Sequence, residues 1–171
     1  MQETSKRRRI ESLRDSRFLT FSCYRRLPLL QSDWARDIAV EQLALTHDRL
    51  GFHLYSWVVM LNHVHLLIWP DIEIADVRRI MSAYKTRVSK RVLDHMRAEN
   101  DPLLTDARTP QGEFRLWQHG RGHDRNIWSK EEFFEKARYL EENPVRAGLA
   151  DCPEDYRWSS AGSEIIGRDE W

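Results

Sequence analysis

The chain reads FHLYSWVVMLNHVHLLIW over residues 52–69, and two β-strands joined by a tight turn are the simplest structure for that stretch. Aromatic and β-branched residues, which favour strands, fill its first half up to Met60. Leu61 and Asn62 interrupt the pattern, and it resumes at His63. The stretch therefore predicts a β-hairpin whose second strand begins with the histidine.

Strand and helix patterns flank this hairpin on both sides. Residues 18–24 alternate apolar and small polar side chains, as a half-buried strand does. A helix is predicted from Ser32, which can act as an N-cap, to Gly51, which is a typical C-terminal stop. Apolar residues at helical spacing predict a long amphipathic helix over residues 74–96.

The last third of the chain adds one more strand and one more helix. Residues 114–118 predict a fourth strand. Ser129 and Glu132 form a capping box that opens the last helix, and Pro144 should end it at Asn143. The order strand, helix, strand, strand, helix, strand, helix indicates an α+β, ferredoxin-like sandwich. We expect an antiparallel sheet with helices on one face and an added C-terminal helix.

The composition is that of one globular domain. Of the 171 residues, 41% are hydrophobic and 32% are charged, which argues against a disordered chain. We expect a mobile basic N-terminus over residues 1–15 and a single domain over residues 16–171. Cys23 and Cys152 match no metal or redox spacing, so two free thiols are expected. The chain shows no apolar signal or membrane segment, which predicts a soluble, cytoplasmic protein without a membrane partner.

Two histidines and a tyrosine carry the predicted chemistry. His63 and His65 lie two apart on a strand and therefore point to the same face. Tyr139 and Asn143 lie four apart on a helix and also share a face, and Tyr139 is off the apolar stripe of that helix. Two imidazoles, an amide oxygen and a phenol can together form a metal site beside a nucleophile. Ordinary packing roles for the histidines and the tyrosine remain open from these patterns alone.

Lys136 is the second candidate catalytic residue. It lies one turn before Tyr139, where a cation favours a phenolate or contacts a phosphate, although a solvated lysine is the alternative. For the metal, an oxygen-rich shell suits Mg²⁺ or Mn²⁺, and we expect one of these in the active protein. The two imidazoles would also accept Zn²⁺ or Ni²⁺ as an adventitious occupant.

Four motifs occur in the order and spacing found in a known family. They are residues 60–67, Trp117-Gln118, Tyr139 with residues 143–149, and residues 156–161. With them the chain resembles the single-tyrosine HUH (IS200-like) transposases and, within these, the REP-associated tyrosine transposases. Two features depart from the family pattern: Leu61 stands where relatives often carry proline, and residues 120–125 carry glycine and histidine where bulky aromatics are common.

The resemblance implies an enzyme that cuts and transfers single-stranded DNA at short palindromic repeats that form hairpins. Tyr139 would be the nucleophile, and His63, His65 and Asn143 would hold a divalent ion. We expect a 5′-phosphotyrosine intermediate and no nucleotide cofactor, because one phosphodiester is exchanged for another. Five basic residues are candidates for phosphate contacts. These are Arg78, Lys85, Arg115, Arg121 and Arg125.

Two other functions remain compatible with the sequence. One is a DNA-binding regulator that kept the fold and lost the reaction, and the other is a metal-dependent hydrolase that uses water. The assembly is also open, because a monomer and a homodimer can each bring the tyrosine to the histidines.

Overall fold

The structure is a computed structural model that describes residues 16–71, 73–120 and 122–170. The predicted mobile N-terminus, residues 1–15, lies outside the described residues. The strands and longer helices are β1 (Arg17–Ser22), α1 (Asp33–Leu50), β2 (His53–Val59), β3 (His63–Trp69), α2 (Val77–Ala98), β4 (His123–Asn126) and α3 (Lys130–Arg146). Short helical turns occur at Tyr24–Arg26, Leu103–Asp106 and Pro153–Asp155.

The strands form one antiparallel sheet with the order β2-β3-β1-β4. This order confirms the predicted α+β, ferredoxin-like sandwich, in which β1 and β3 are the central strands. The register between strands matters for the site. Thr20 of β1 lies opposite His65 of β3 on one side and opposite His123 of β4 on the other.

Helices cover both faces of the sheet. The side chains of β1 point alternately to the two faces and therefore contact helices on each of them. Phe21 contacts Tyr84 of α2 at a ring distance of 5.8 Å, and α1 packs against α2. Phe18 contacts Tyr139 of α3 at 6.3 Å on the other face. The added C-terminal helix therefore lies across the sheet from α1 and α2.

The predicted fourth strand was wrong in position. Residues 114–118 make only isolated bridges, one of them between Cys23 and Trp117. Trp117 instead packs on Phe21 at 5.0 Å and donates its indole N–H to the carbonyl of Lys85 at 2.9 Å. The apolar alternation there reflects burial in the core. The true β4 is polar because it is an exposed edge strand.

The predicted end of the last helix was also wrong. α3 continues to Arg146 with Pro144 inside it. The turn around the proline is closed by Ala147 N–H to Asn143 C=O at 3.0 Å and Leu149 N–H to Pro144 C=O at 2.9 Å. These bonds and the burial of the Pro144 ring offset the N–H that proline lacks.

Other predicted features are confirmed. Ser129 caps α3 by accepting the N–H of Glu132 at 3.1 Å, and Gly51 ends α1 with a positive φ of 62°. Cys23 and Cys152 are both free thiols. Burial raises the pKa of Cys23 to about 12, which keeps this thiol protonated. Within the described part of the chain, no helix is both long enough and apolar enough to cross a membrane.

Candidate active site

The two predicted histidines form a close pair at the start of β3. Their ring centroids are 4.7 Å apart, with the ring planes at 81°. His65 is 6% exposed, and burial together with the neighbouring His63 lowers the pKa of His65 to about 3. Burial, followed by the charge of Arg26, also lowers the pKa of His63. Both rings are therefore neutral at physiological pH, which is the form that binds metals.

Hydrogen bonds orient both rings. The Oδ1 atom of Asn62 accepts the Nδ1–H of His63 at 2.7 Å. The Thr20 hydroxyl lies 2.7 Å from Nδ1 of His65. In each ring Nδ1 is thus engaged, and Nε2 remains the atom available for a further ligand.

Tyr139 meets this pair within the same chain. Its side chain is 36% exposed, and its ring lies 5.9 Å from that of His65. The Arg146 guanidinium lies 5.1 Å from the centre of the Tyr139 ring, and the Lys136 ammonium lies 6.0 Å from it. The Tyr139 ring is therefore held beside His65 and near two cations, and it remains partly open to solvent.

An open pocket of about 440 Å³ separates the sheet from α3 at this point. It is lined by Phe18, Thr20, His65, His123, Arg125, Lys136 and Tyr139. The pocket brings together four of the predicted site residues, namely His65, Arg125, Lys136 and Tyr139. His63 adjoins it through His65, and Asn143 lies one turn beyond Tyr139 and is partly buried.

Sequence reasoning missed three residues of this pocket. Phe18 and Thr20 share a face of β1, and His123 lies opposite Thr20 on β4. For Phe18 and Thr20 the sequence did contain a signal, because the alternating pattern of residues 18–24 places both side chains on the same face of the strand. His123 required the position and register of β4, which the sequence pattern did not reveal.

The other predicted phosphate contacts are spread over the molecule. Arg78 is exposed in the first turn of α2, which follows the end of β3 that is remote from His63. Lys85 donates to the carbonyl of Gly120 at 3.3 Å, and Arg115 lies over the ring of Tyr24 at 5.8 Å. Arg121 lies outside the described residues. Among the predicted phosphate contacts that the structure describes, only Arg125 lines the pocket, where the candidate catalytic residue Lys136 lies with it.

The two pocket cations are paired with glutamates. Arg125 lies 2.7 Å from Glu132, and Lys136 lies 2.9 Å from Glu135. One member of each pair is well exposed to water, namely Arg125 and Glu135, whereas Glu132 and Lys136 are only 16% and 21% exposed. A phosphate entering the pocket would therefore compete with a glutamate for each cation.

The residues present fit a metal ion in part. In residues 16–71, 73–120 and 122–170, no three histidine, cysteine or acidic side chains lie together as a metal site. Any ion would thus depend on the two histidines and on oxygen ligands such as an amide. The neutral rings and their available Nε2 atoms meet the requirements for two of its ligands.

Gly122 lies where the chain enters β4, at a position that only glycine can occupy without overlap. Its φ is +76°, and a Cβ atom there would overlap the backbone oxygen of Thr20 and approach Cβ of Phe21 at 3.0 Å. The backbone entering β4 thus passes directly against β1. A glycine is needed for this close approach, which places His123 and Arg125 in the pocket.

Gly122→Ala is expected to lower the free energy of unfolding by about 3 kcal/mol or more, since overlap with β1 adds to strain at positive φ. Gly120→Ala is the matched control, because Gly120 also has a positive φ of 98° but has open space around its Cβ position. We expect the control to cost about 1–2 kcal/mol. Urea unfolding measures both, and equal losses would contradict the close approach.

Comparison with known proteins supports one family. Residues 17–129 match the family model described as "Transposase IS200 like", which is more than half of the 171-residue chain. The matched range includes His63 and His65 and ends at the N-cap of α3. No curated protein matches the chain significantly.

Two solved structures share the fold. A REP-associated tyrosine transposase bound to a REP hairpin is 18% identical, with a TM-score of 0.60, and the match covers 86% of this chain and 76% of that chain. A protein from Deinococcus radiodurans R1 described as a transposase is 20% identical, with a TM-score of 0.51, and the match covers 74% of this chain and 88% of that chain. These structures share the sheet and helix arrangement, and the sequence match adds the family. The chain belongs to the IS200-like transposases.

Proposed function

We propose that this protein cuts and rejoins single-stranded DNA through a covalent bond between Tyr139 and a 5′-phosphate. The observation that carries the proposal is the position of Tyr139, half-exposed and 5.9 Å from the buried His65, over an open pocket. Arg125 and Lys136 in that pocket supply positive charge for a DNA phosphate. A phenol packed for stability alone does not need such surroundings.

The proposed reaction exchanges one phosphodiester for another. The Tyr139 hydroxyl oxygen attacks the scissile phosphorus, the bond from phosphorus to the 3′-oxygen breaks, and that oxygen leaves as a 3′-hydroxyl after taking up a proton. His123 lines the pocket and offers a ring nitrogen that can accept the phenolic proton. The reverse attack by a 3′-hydroxyl rejoins the strand, so no nucleotide cofactor is needed.

His63, His65 and Asn143 would hold the divalent ion in this proposal, with Mg²⁺ or Mn²⁺ as the active metal. Such an ion supplies Lewis-acid polarisation of the scissile phosphate. Thr20 and Asn62 keep the two imidazoles in the orientation that leaves Nε2 available. Lys136 and Arg146 lie near the Tyr139 ring, where their charges favour the developing phenolate.

Hairpin DNA with a single-stranded flank is the proposed substrate. The pocket lies between the sheet and α3, and a flexible single strand can bend to bring a phosphate beside Tyr139. One structural neighbour is a transposase bound to a REP hairpin, which supports the same substrate class here.

The protein is expected to bind a hairpin with a single-stranded flank at least about tenfold more tightly than a duplex of the same sequence. Fluorescence anisotropy at one fixed salt concentration measures both affinities, since phosphate contacts make binding salt-dependent. A single strand of the same composition that cannot fold back is the control for the hairpin. Equal affinity for hairpin and duplex would contradict the proposed substrate.

A denaturing gel separates this proposal from the two alternatives. The protein is mixed with end-labelled single-stranded DNA and Mn²⁺, and the products are resolved with and without protease treatment. A protease-sensitive band of protein-bound DNA supports the tyrosine reaction. Cut DNA free of protein indicates a hydrolase, and bound but uncut DNA indicates a regulator.

A further inference from the structure

The turn after β1 has an unusual backbone. Arg25 and Arg26 both adopt left-handed conformations, with φ of 52° and 56°. Such values strain any residue other than glycine, and two adjacent arginines there are costly. Glycine would fit this backbone with less strain. The presence of arginine at both positions therefore suggests a role for the arginine side chains.

Hydrogen bonds connect this turn to Gln118 and to Asn62, the residue before His63. The backbone N–H of Arg25 donates to Oε1 of Gln118 at 3.0 Å, and Nδ2 of Asn62 donates to the carbonyl of Arg26 at 3.2 Å. The same Asn62 side chain accepts the Nδ1–H of His63 at 2.7 Å. One asparagine thus fixes both the turn and a histidine of the active site.

The turn also concentrates positive charge. Arg25 and Arg26 are both exposed, and Arg115 lies 5.8 Å from the ring of Tyr24, the residue before them. The charge of Arg26 is close enough to His63 to add to the effect of burial in lowering the pKa of that ring. Arg125 and Lys136 have glutamate partners, whereas neither Arg25 nor Arg26 forms an ion pair with another residue in the described part of the chain.

The position of the turn follows from the register of β1. Phe18 contacts Tyr139, Thr20 contacts His65, and Ser22 lies opposite His63. The strand therefore runs from the tyrosine past both histidines to the arginine turn. Positive charge is thus available at both ends of the pocket region, with Arg125 and Lys136 at one end and the turn at the other.

We propose that the Arg25-Arg26 turn, with Arg115 beside it, binds a backbone phosphate of single-stranded DNA on the His63 side of the active site. This inference rests on the proposed function and adds a second phosphate site to it. The turn would position the strand across the histidines so that the scissile phosphate faces Tyr139. Its ligand is the phosphodiester itself, so recognition there does not depend on the base.

The double variant Arg25→Gly/Arg26→Gly tests the site, because glycine accepts the left-handed backbone while the guanidinium groups are removed. Its melting temperature is expected to equal or exceed that of the unmodified protein. Affinity for a hairpin with a single-stranded flank is expected to fall about tenfold, and the slope of log affinity against log salt to shrink by about 0.7 per lost phosphate contact.

Two controls match the two changes that the double variant makes. Asn100→Gly relieves a left-handed residue, with φ of 53°, away from the site and leaves the charge unchanged. Arg49→Ala removes an exposed charge from the last turn of α1. Neither control is expected to change DNA affinity by more than about twofold, since neither residue adjoins the histidines.

Oligonucleotides with one neutral methylphosphonate linkage locate the contact. In the unmodified protein, affinity should drop at one or two linkages beside the cleavage position, and the double variant should not show this drop. Unchanged affinity in the double variant, or the same drop in both proteins, would overturn the inference while leaving DNA cleavage by the unmodified protein intact. Absence of DNA binding by the unmodified protein would overturn the inference and the proposed function together.

Discussion

Tyr139→Phe is expected to abolish covalent capture of DNA while leaving the fold and DNA binding unchanged. The substitution removes only the hydroxyl oxygen that would form the bond to phosphorus. The phenylalanine ring retains the contacts with His65 and Phe18, at 5.9 and 6.3 Å, and the Arg146 guanidinium over its face. The measurement is the protease-sensitive band on a denaturing gel with labelled single-stranded DNA and Mn²⁺.

Tyr84→Phe is the matched control, because it makes the same chemical change on the opposite face of the sheet. Tyr84 is fully buried against Phe21, and its hydroxyl has no hydrogen-bond partner among the described residues. This variant should keep the adduct and be as stable as the unmodified protein or more so. A persistent adduct in Tyr139→Phe would remove this tyrosine from the mechanism.

His65→Ala is expected to lower the rate of DNA cutting at least about 100-fold, since the proposal gives this ring a metal bond that no other side chain replaces. Its position supports the role: the Thr20 hydroxyl engages Nδ1, and the lowered pKa keeps the ring neutral, which is the form that binds metals. Affinity for Mn²⁺, measured by calorimetry, should fall at least about tenfold. This second readout does not depend on catalysis.

His95→Ala is the control for loss of a histidine ring. His95 of α2 packs against Trp34 of α1, with ring centroids 4.0 Å apart, on the other side of the sheet from Tyr139. This variant should lose some stability and keep both Mn²⁺ affinity and DNA cutting. If His65→Ala cut DNA at the normal rate while remaining folded, the proposed role of the histidine pair would be wrong.

The local patterns of the sequence determined the elements and their order. Strand alternation placed His63 and His65 on one face, and helical periodicity placed Tyr139 off the apolar stripe of α3. Caps at Ser129 and Gly51 located helix ends correctly, because capping depends on residues within one turn. These features can be predicted from the sequence because each depends only on residues that are close together in the chain.

The two errors have a common physical origin. The apolar alternation of residues 114–118 indicates burial, and Trp117 is buried by packing on Phe21 without a strand. The true edge strand, His123–Asn126, is polar because few of its side chains enter the core. Likewise, the helix continues through Pro144 because the following turn forms backbone hydrogen bonds to the carbonyls of Asn143 and Pro144. The expectation that a helix ends before proline does not include these later bonds.

Only the tertiary structure decided what surrounds the reactive groups. Register across the sheet placed Thr20 between His65 and His123, and the close approach at Gly122 set the position of β4. The fold also separated the basic residues: Arg125 and Lys136 line the pocket, whereas Arg78 is exposed in the first turn of α2 and does not line it. Charge and polarity in a sequence record which side chains exist, whereas long-range strand pairing determines which of them meet.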